Sequence, residues 1–204
     1  MRNGCGILTS RSLSTGLLAV AILLITGCAA TSPPSVVKED VNKLNHQGGP
    51  GPYSFECDAP PGRFDESNVP ASGDKLRASG TLRFLELRSH PEWAASATVT
   101  FAGPTRQRPF LGLQALIMPD EPNTIQFAIT GQGDAQERNV FATTKVTDAL
   151  IPFEVSLGQS GDLEVSVAGQ SAKMAVGAFE PARLSLFCST ALIHFSKVTV
   201  ENAR

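Results

Sequence analysis

The sequence predicts an all-β domain, a two-sheet antiparallel β-sandwich, that follows an exported leader. From residue 53 onward, short apolar runs alternate with polar residues at a period of two. Turn-forming Gly, Pro, Asn and Asp separate these runs roughly every 8 to 12 residues, a spacing typical of sandwiches and barrels. No helical periodicity of useful length follows residue 53. About 150 residues of this type are enough for one domain with its own core.

The leader combines a basic start with a short apolar run. Arg2 and Arg11 lie in the first twelve residues, which carry no acid, and residues 13–25 are mostly apolar. The run is shorter than the ~20 residues that span a bilayer, so it predicts a cleaved signal.

The end of this run, Ile25-Thr26-Gly27-Cys28, resembles the lipobox of bacterial lipoproteins. The resemblance implies cleavage after Gly27, a diacylglyceryl group on the Cys28 thiol and palmitate-type acylation of the new amine. The alternative is a secretory signal without lipid, cleaved at residues 29–31. On the lipoprotein reading, residues 1–27 are the signal peptide, 28–52 a lipidated flexible tether rich in Pro and Gly, and 53–204 the β-sandwich.

The same resemblance predicts a location. Two or three acyl chains hold a protein on a membrane almost permanently. Ala29 follows the cysteine where many inner-membrane lipoproteins carry Asp. We therefore expect an outer-membrane lipoprotein of the cell envelope, facing the periplasm or the cell surface, whose membrane partner is bound through the lipid anchor.

The charge of the mature chain argues against nucleic-acid binding. Loss of Arg2 and Arg11 leaves 15 Lys and Arg against 19 Asp and Glu, a formal charge of −4. Arg106 and Arg108 are the nearest approach to a basic patch, and no stripe of cations can follow a phosphate backbone. No motif calls for a cofactor.

Two of the four cysteines remain for the domain. Cys5 leaves with the signal and Cys28 is the lipid site, which leaves Cys57 and Cys188. An even pair in an oxidising compartment predicts one disulfide between the first strand and a late one. The alternative is two buried free thiols.

The strands are predicted in order along the domain. The first covers residues 53–57 and a polar excursion from Pro60 to Asp74 follows. Further strands are predicted at residues 76–87, 95–101, 110–118, 124–130 and 139–145.

The last third alternates most clearly. Apolar side chains at every second position predict strands at 153–157, 163–167, 174–178 and 184–188, with a final strand near 193–200. In that final strand Ile193 and Phe195 have one parity and Val198 and Val200 the other. Both pairs can share a face only if the strand gains a residue, so we predict a β-bulge near Ser196-Lys197.

The hairpin Leu163-Glu164-Val165-Ser166-Val167-Ala168-Gly169 and the ending Phe195-Ser196-Lys197-Val198-Thr199-Val200 resemble the concanavalin A-like jelly roll, which includes laminin G-like domains, lectins and β-glucanases. The resemblance implies a jelly-roll fold, a final strand paired with the first, and a bias toward glycans.

No catalytic constellation is found. The glucanase strand motif of three alternating acids is absent; Glu154 and Glu164 are interpreted as a solvated strand face, and Gly158-Gln159-Ser160-Gly161 as a hairpin turn. The histidines His46, His90 and His194 are scattered, and no metal site is predicted, although calcium is the alternative for the oxygen-rich loops 120–123 and 131–134.

A small contact site is the remaining candidate. Trp93, the single tryptophan, follows His90 and Glu92 in a loop, where an aromatic ring could stack on a sugar. The simpler reading is a tryptophan that packs over one end of the sandwich.

We expect a lipid-anchored, non-enzymatic binding or structural module whose partner is a glycan or an envelope protein. The alternative is a carbohydrate-active enzyme, or its degenerate relative, on a jelly roll. A third reading is an assembly subunit that offers an edge strand.

Overall fold

The computed structural model describes residues 52–105, 110–131 and 139–202. They form ten β-strands and no helix long and apolar enough to cross a membrane. The strands are β1 (Tyr53–Pro70), β2 (Leu76–Leu87), β3 (Ala95–Ala102), β4 (Phe110–Ile117), β5 (Thr124–Gly131), β6 (Asn139–Lys145), β7 (Ile151–Leu157), β8 (Asp162–Val167), β9 (Gln170–Ala175) and β10 (Arg183–Asn202). The signal peptide, Cys28 and the tether lie outside the described residues.

The strands form two antiparallel sheets that share β1 and β10. Sheet one has the order β6-β5-β4-β3-β10-β1 and uses the first half of β10. Sheet two has the order β1-β10-β2-β7-β8-β9 and uses its second half. Because β1 and β10 run through both, all ten strands are linked by hydrogen bonds. The predicted two-sheet, jelly-roll-type sandwich is confirmed.

The long strand β10 passes between the sheets at Thr190. This residue is fully buried and has φ of 52°, in the left-handed region that a β-branched side chain rarely adopts. Three hydrogen bonds hold it there: its carbonyl accepts from the Arg88 N–H (3.1 Å), its hydroxyl oxygen accepts from the Gly62 N–H (3.3 Å), and the same hydroxyl meets the Ser189 hydroxyl (3.3 Å). The corner is thus tied to β1 and to the end of β2.

A disulfide closes the same corner from the inside. Cys57 lies in sheet two opposite Ile193, and Cys188 lies in sheet one opposite Ala97. Their Cα atoms are 6.0 Å apart, both side chains are fully buried, and the bond joins residues 131 positions apart. The predicted Cys57–Cys188 pairing is confirmed, and its location shows that it connects the two sheets.

The predicted bulge is confirmed in the second half of β10. Ser196 pairs with Thr81 and Thr199 with Ser79, so β10 carries one residue more than β2 between these pairs. Lys197 takes up the excess with φ of 52°. As a result Ile193, Phe195 and Val198 are all fully buried on one face.

Gly80 lies opposite the bulge. A Cβ atom there would come within 3.1 Å of the Ser196 carbonyl oxygen and the Val198 Cα atom. The missing side chain leaves room for the extra residue of the partner strand.

Three boundary predictions are wrong, two because pairing outweighs local composition and one because a glycine at positive φ ends the strand. The stretch from residue 60 to 70 is strand, because Phe64 to Pro70 pair with the first half of β10 and the two prolines fall in the unpaired gap before them. Residues 184–188 and 193–200 are one strand, β10. Strand β9 ends at Ala175, since Gly177 has φ of 73° and Val176 bonds to the Gly161 carbonyl instead.

The core between the sheets is built from the inward residues of this alternation. Its largest fully buried side chains are Phe55, Phe101, Phe127, Phe195, Leu76, Leu82, Leu113, Ile125, Ile129, Leu163, Leu184 and Leu186. Full burial of a side chain of this size contributes roughly 1.5–3 kcal/mol.

Replacement of both bridging cysteines, Cys57→Ala with Cys188→Ala, tests how much the corner disulfide contributes. Opening so long a loop raises the entropy of the unfolded chain, and we expect the free energy of unfolding to fall by about 5 kcal/mol. Urea denaturation of the oxidised parent and the double variant measures the difference. An unchanged midpoint would show that the bond adds nothing to stability.

Candidate functional site

The outer face of sheet one spans six strands, and its side chains are exposed on the edge strands and buried on the central ones. Along one row of paired residues, the exposed fraction falls from 41% at Phe64 on β1 to 5% at Ser189 and 4% at Ser96. It rises again on the far side, where Gln126 is half-buried and Thr143 exposed. We call this face, from Phe64 and Glu66 on β1 to Val140 and Thr143 on β6, the trough.

The floor of the trough is lined by short hydroxyl side chains. Alternation on the central strand β3 turns Ala97, Val99 and Phe101 to the core and the intervening residues outward. The hydroxyl residues that face outward on β3 and on the adjoining half of β10 are all buried: Ser96, Thr98, Thr100, Ser185 and Ser189. Two half-buried amides, Gln114 on β4 and Gln126 on β5, extend this uncharged hydrogen-bonding surface toward β6.

One wall of the trough carries two stacked aromatic rings. The centroids of Phe64 and Phe187 are 5.4 Å apart, and their planes differ by 26°. The pair leaves 41% of Phe64 exposed, whereas a core phenylalanine such as Phe55 is 2% exposed. The sequence pattern places the phenylalanines mostly in the core and misses this pair, because the composition of residues 60–74 indicates a loop.

Glu66 stands beside the aromatic pair. It lies directly opposite Phe187 and two residues after Phe64 on β1, on the same face. Its Oε1 atom accepts a hydrogen bond of 2.8 Å from the Ser185 hydroxyl. The wall therefore joins exposed ring surface to an oriented carboxylate.

The predicted contact residues Trp93, His90 and Glu92 lie in the loop of residues 88–94, between β2 and β3. Trp93 is 39% exposed, Glu92 is exposed and His90 is half-buried. The His90 Nδ1 atom accepts from the Glu92 N–H at 3.2 Å. This loop leads into Ser96, which is in the same row as Ser189 and Phe64, so it borders the Phe64 end of the trough.

The loop also packs against the kink of β1. Gly62 has φ of 68°, and a Cβ atom built on it would lie 2.7 Å from His90 Nε2. The His90 ring thus fills the space above Gly62, which positions the loop that carries Trp93.

The carboxylates considered for glycoside hydrolysis lie on the other sheet, each beside a cation. Glu154 pairs with Arg77 at 2.5 Å and Glu164 with Lys173 at 3.1 Å. The hydrogen bond and the charge of Glu154 raise the pKa of the Arg77 guanidinium, which therefore keeps its charge. These acids are strand-face ion pairs, in agreement with the solvated face that the sequence predicts.

The pair Glu56 and Asp58 flanks the bridging Cys57 on the same outer face of sheet two. Arg88 bonds to Asp58 at 2.6 Å and to Glu86 at 3.2 Å. The hydrogen bond to Glu86, and to a smaller extent the one to Asp58, raise the pKa of the Arg88 guanidinium. Asp58 is therefore engaged in a surface ion-pair network.

His194 is also on sheet two, where its Nε2 atom lies 2.8 Å from the Ser54 hydroxyl. The Ser54 hydroxyl is within 3.2 Å of the Phe195 carbonyl oxygen, to which it can only donate. The Ser54 hydroxyl therefore lies between the imidazole of His194 and a backbone carbonyl.

Metal-ligand groupings are not found among residues 52–105, 110–131 and 139–202: no three His, Cys, Asp or Glu side chains converge there. The oxygen-rich segment 120–123 is a turn in which the Glu121 N–H donates to Met118 and the Thr124 N–H donates to Glu121. The loop of residues 132–138 lies outside the described residues, as do Arg106, Arg108 and His46.

The sequence matches no protein-family model and no curated protein. Three of the solved structures that match this chain are alginate lyases with the same fold. An alginate lyase from Pseudomonas aeruginosa aligns with a TM-score of 0.54 at 12% identity, over 74% of this chain and 83% of its own. An alginate lyase from Alteromonas sp. 272 aligns with a TM-score of 0.51 at 9% identity, over 74% and 87%. The alginate lyase AlyA1 from Zobellia galactanivorans gives 0.50 and 9%, over 74% and 77%. At these identities the likeness establishes the fold alone.

The packing of His90 on Gly62 predicts that Gly62→Ala displaces the loop of residues 88–94. A Cβ atom at this position must push the His90 ring away. We expect iodide to quench the fluorescence of Trp93, the single tryptophan, to a different extent in this variant than in the parent.

The matched control is Gly169→Ala. Gly169 has φ of 80°, and a Cβ atom added there would meet no other atom within 4 Å. The control therefore shares the backbone penalty of roughly 1–2 kcal/mol without the collision. Equal quenching in the two variants would contradict the coupling between Gly62 and the loop.

Proposed function

We propose that this chain is a lipid-anchored, non-enzymatic glycan-binding module of the cell envelope, held at the outer membrane through Cys28. The observation that carries the proposal is the trough: a floor in which buried hydroxyl groups and half-buried amides alternate with the apolar Leu116 and Ala128, beside a partly exposed phenylalanine stack. Sugars offer hydroxyls to such a floor and an apolar ring face to such a wall.

The aromatic pair supplies the binding anchor. The partly exposed ring of Phe64 is held against Phe187, so little conformational freedom is lost when a ligand covers it. The residues that carry most of the binding energy at interfaces are enriched in the aromatic side chains Trp and Tyr, which a partner covers completely. Trp93, which is 39% exposed, belongs to the loop whose His90 ring packs over Gly62, two residues before Phe64.

The charges of the trough favour binding over catalysis. A general acid or base must be within hydrogen-bond reach of the bond that reacts. On the described part of this face, Glu66 is on β1 and Lys145 on β6, at opposite edges of sheet one, and the Arg183 guanidinium on β10 donates to the Gly103 carbonyl. Five strand spacings of ~4.8 Å place those edges ~24 Å apart, too far for joint action on one bond.

The fold supports the same class of ligand. The three alginate lyases that share it act on a polysaccharide. The proposal transfers only that preference for glycans; it does not transfer the lyase reaction.

Pull-down of the full chain, solubilised in detergent, with insoluble polysaccharides and peptidoglycan tests the proposal. We expect retention on at least one glycan and roughly tenfold weaker binding for Phe64→Ala and Trp93→Ala, because an anchor ring contributes more than 1 kcal/mol. Leu150→Ala, which removes a 55% exposed side chain outside the trough, should bind like the parent. No retention on any glycan would argue for a protein partner instead.

The anchor has its own test. In a bacterial host labelled with radioactive palmitate, the parent chain should carry the label and sediment with membranes, whereas Cys28→Ser should lose both properties. Cys5→Ser, which changes a cysteine of the signal, should leave the label in place. Label that persists in Cys28→Ser would refute lipidation at this residue.

A further inference from the structure

The wall of the trough indicates which glycans can bind, and this inference rests on the function proposed above. Phe64, Glu66 and Phe187 form one contiguous patch, because Glu66 lies opposite Phe187 and beside Phe64 on the same face. A sugar that stacks on Phe64 must therefore place its ring substituents next to the Glu66 carboxylate.

Glu66 restricts the chemistry of those substituents. An ionised carboxylate only accepts hydrogen bonds. Ser185 donates to one of its oxygens at 2.8 Å, which orients the group and leaves further acceptor positions. Hydroxyl and N-acetyl N–H groups can donate to those positions, whereas a sugar carboxylate or sulfate would be repelled.

Within residues 52–105, 110–131 and 139–202, no cation pairs with Glu66. The residues that the structure describes include nine Lys or Arg and fifteen Asp or Glu. Arg183, at the end of the same face, donates from Nη1 to the Gly103 carbonyl at 2.7 Å. Lys145 is on the opposite edge of sheet one, and Arg63, the nearest basic residue in sequence, precedes Phe64 at the kink where β1 leaves its pairing with β10.

We propose that the Phe64–Phe187–Glu66 patch selects uncharged glycans, N-acetylated ones included, and rejects polyuronates. Selection arises from two effects at one place. The ring binds any pyranose with an apolar face, and the carboxylate then favours ligands that donate hydrogen bonds over ligands that carry negative charge.

Isothermal titration of the full chain in detergent, at fixed low ionic strength, tests this selection. The probes are chitohexaose, soluble glucomannan, oligo-alginate and oligogalacturonate. We expect one of the two uncharged probes to bind at least tenfold more tightly than either polyuronate. Added salt should reduce this difference in affinity, because it screens the repulsion between the Glu66 carboxylate and the uronate carboxylates.

Glu66→Gln keeps the size of the side chain and removes its charge. We expect this variant to reduce the ratio between the dissociation constants of the uronate and the uncharged probes at least fivefold. Glu154→Gln, which removes a carboxylate from the outer face of sheet two, is the matched control and should leave the difference unchanged.

The outcomes separate the two proposals. No binding of any probe would remove both the glycan-binding function and this selection. If Phe64→Ala loses binding but the parent prefers a polyuronate, the glycan-binding function stands and the proposed selection is wrong. A polyuronate preference that Arg63→Gln abolishes would be the clearest form of this result. An unchanged difference in Glu66→Gln would also overturn it.

Discussion

The passage of β10 from one sheet to the other at Thr190 is the constraint on which the rest of the structure depends. A buried β-branched residue at φ of 52° is unfavourable by itself, so the surrounding bonds must hold it. Backbone and hydroxyl hydrogen bonds from Gly62, Ser189 and Arg88 do so from outside, and the Cys57–Cys188 bond closes the corner from inside. Together they make the first and last strands common to both sheets, so that neither sheet can form fully without the other.

The candidate site is a consequence of that corner. Because β1 follows β10 around the bend, its second half becomes the edge of sheet one and carries Phe64 and Glu66 to the wall of the trough. The same bend places Gly62 under the His90 ring, which connects the kink of β1 to the loop of Trp93. Aromatic surface from the strand edge and from the loop therefore lies at one end of the trough.

The outer faces of the two sheets differ in their charges. The outer face of sheet two carries ion pairs, whereas the outer face of sheet one is the proposed binding surface. On sheet two, exposed acids pair with Arg77, Arg88 and Lys173, contacts that contribute little to stability in water and leave no isolated catalytic carboxylate among these pairs. On sheet one, the floor carries no charged side chain, and Glu66 accepts a hydrogen bond from Ser185 and pairs with no cation in the part of the chain that the structure describes. A surface of this kind can bind a polyhydroxylated ligand through many weak directional contacts, and the carboxylate at one edge discriminates by charge.

The sequence by itself determined the all-β class, most strand positions, the bulge at Ser196-Lys197 and the cysteine pairing. These features depend on the period of apolar residues along one strand, or on a simple even count of cysteines, and both can be read locally. The tertiary structure alone decided that residues 60–70 continue β1, that β10 is one strand, and that Phe64 is exposed beside Phe187. Each of these depends on pairing between residues more than a hundred positions apart, for which Pro60, Pro61 and Gly62 give a misleading local signal. Trp93 and His90 could be selected from the sequence as candidates, but their place at the end of the trough required the corner at Thr190.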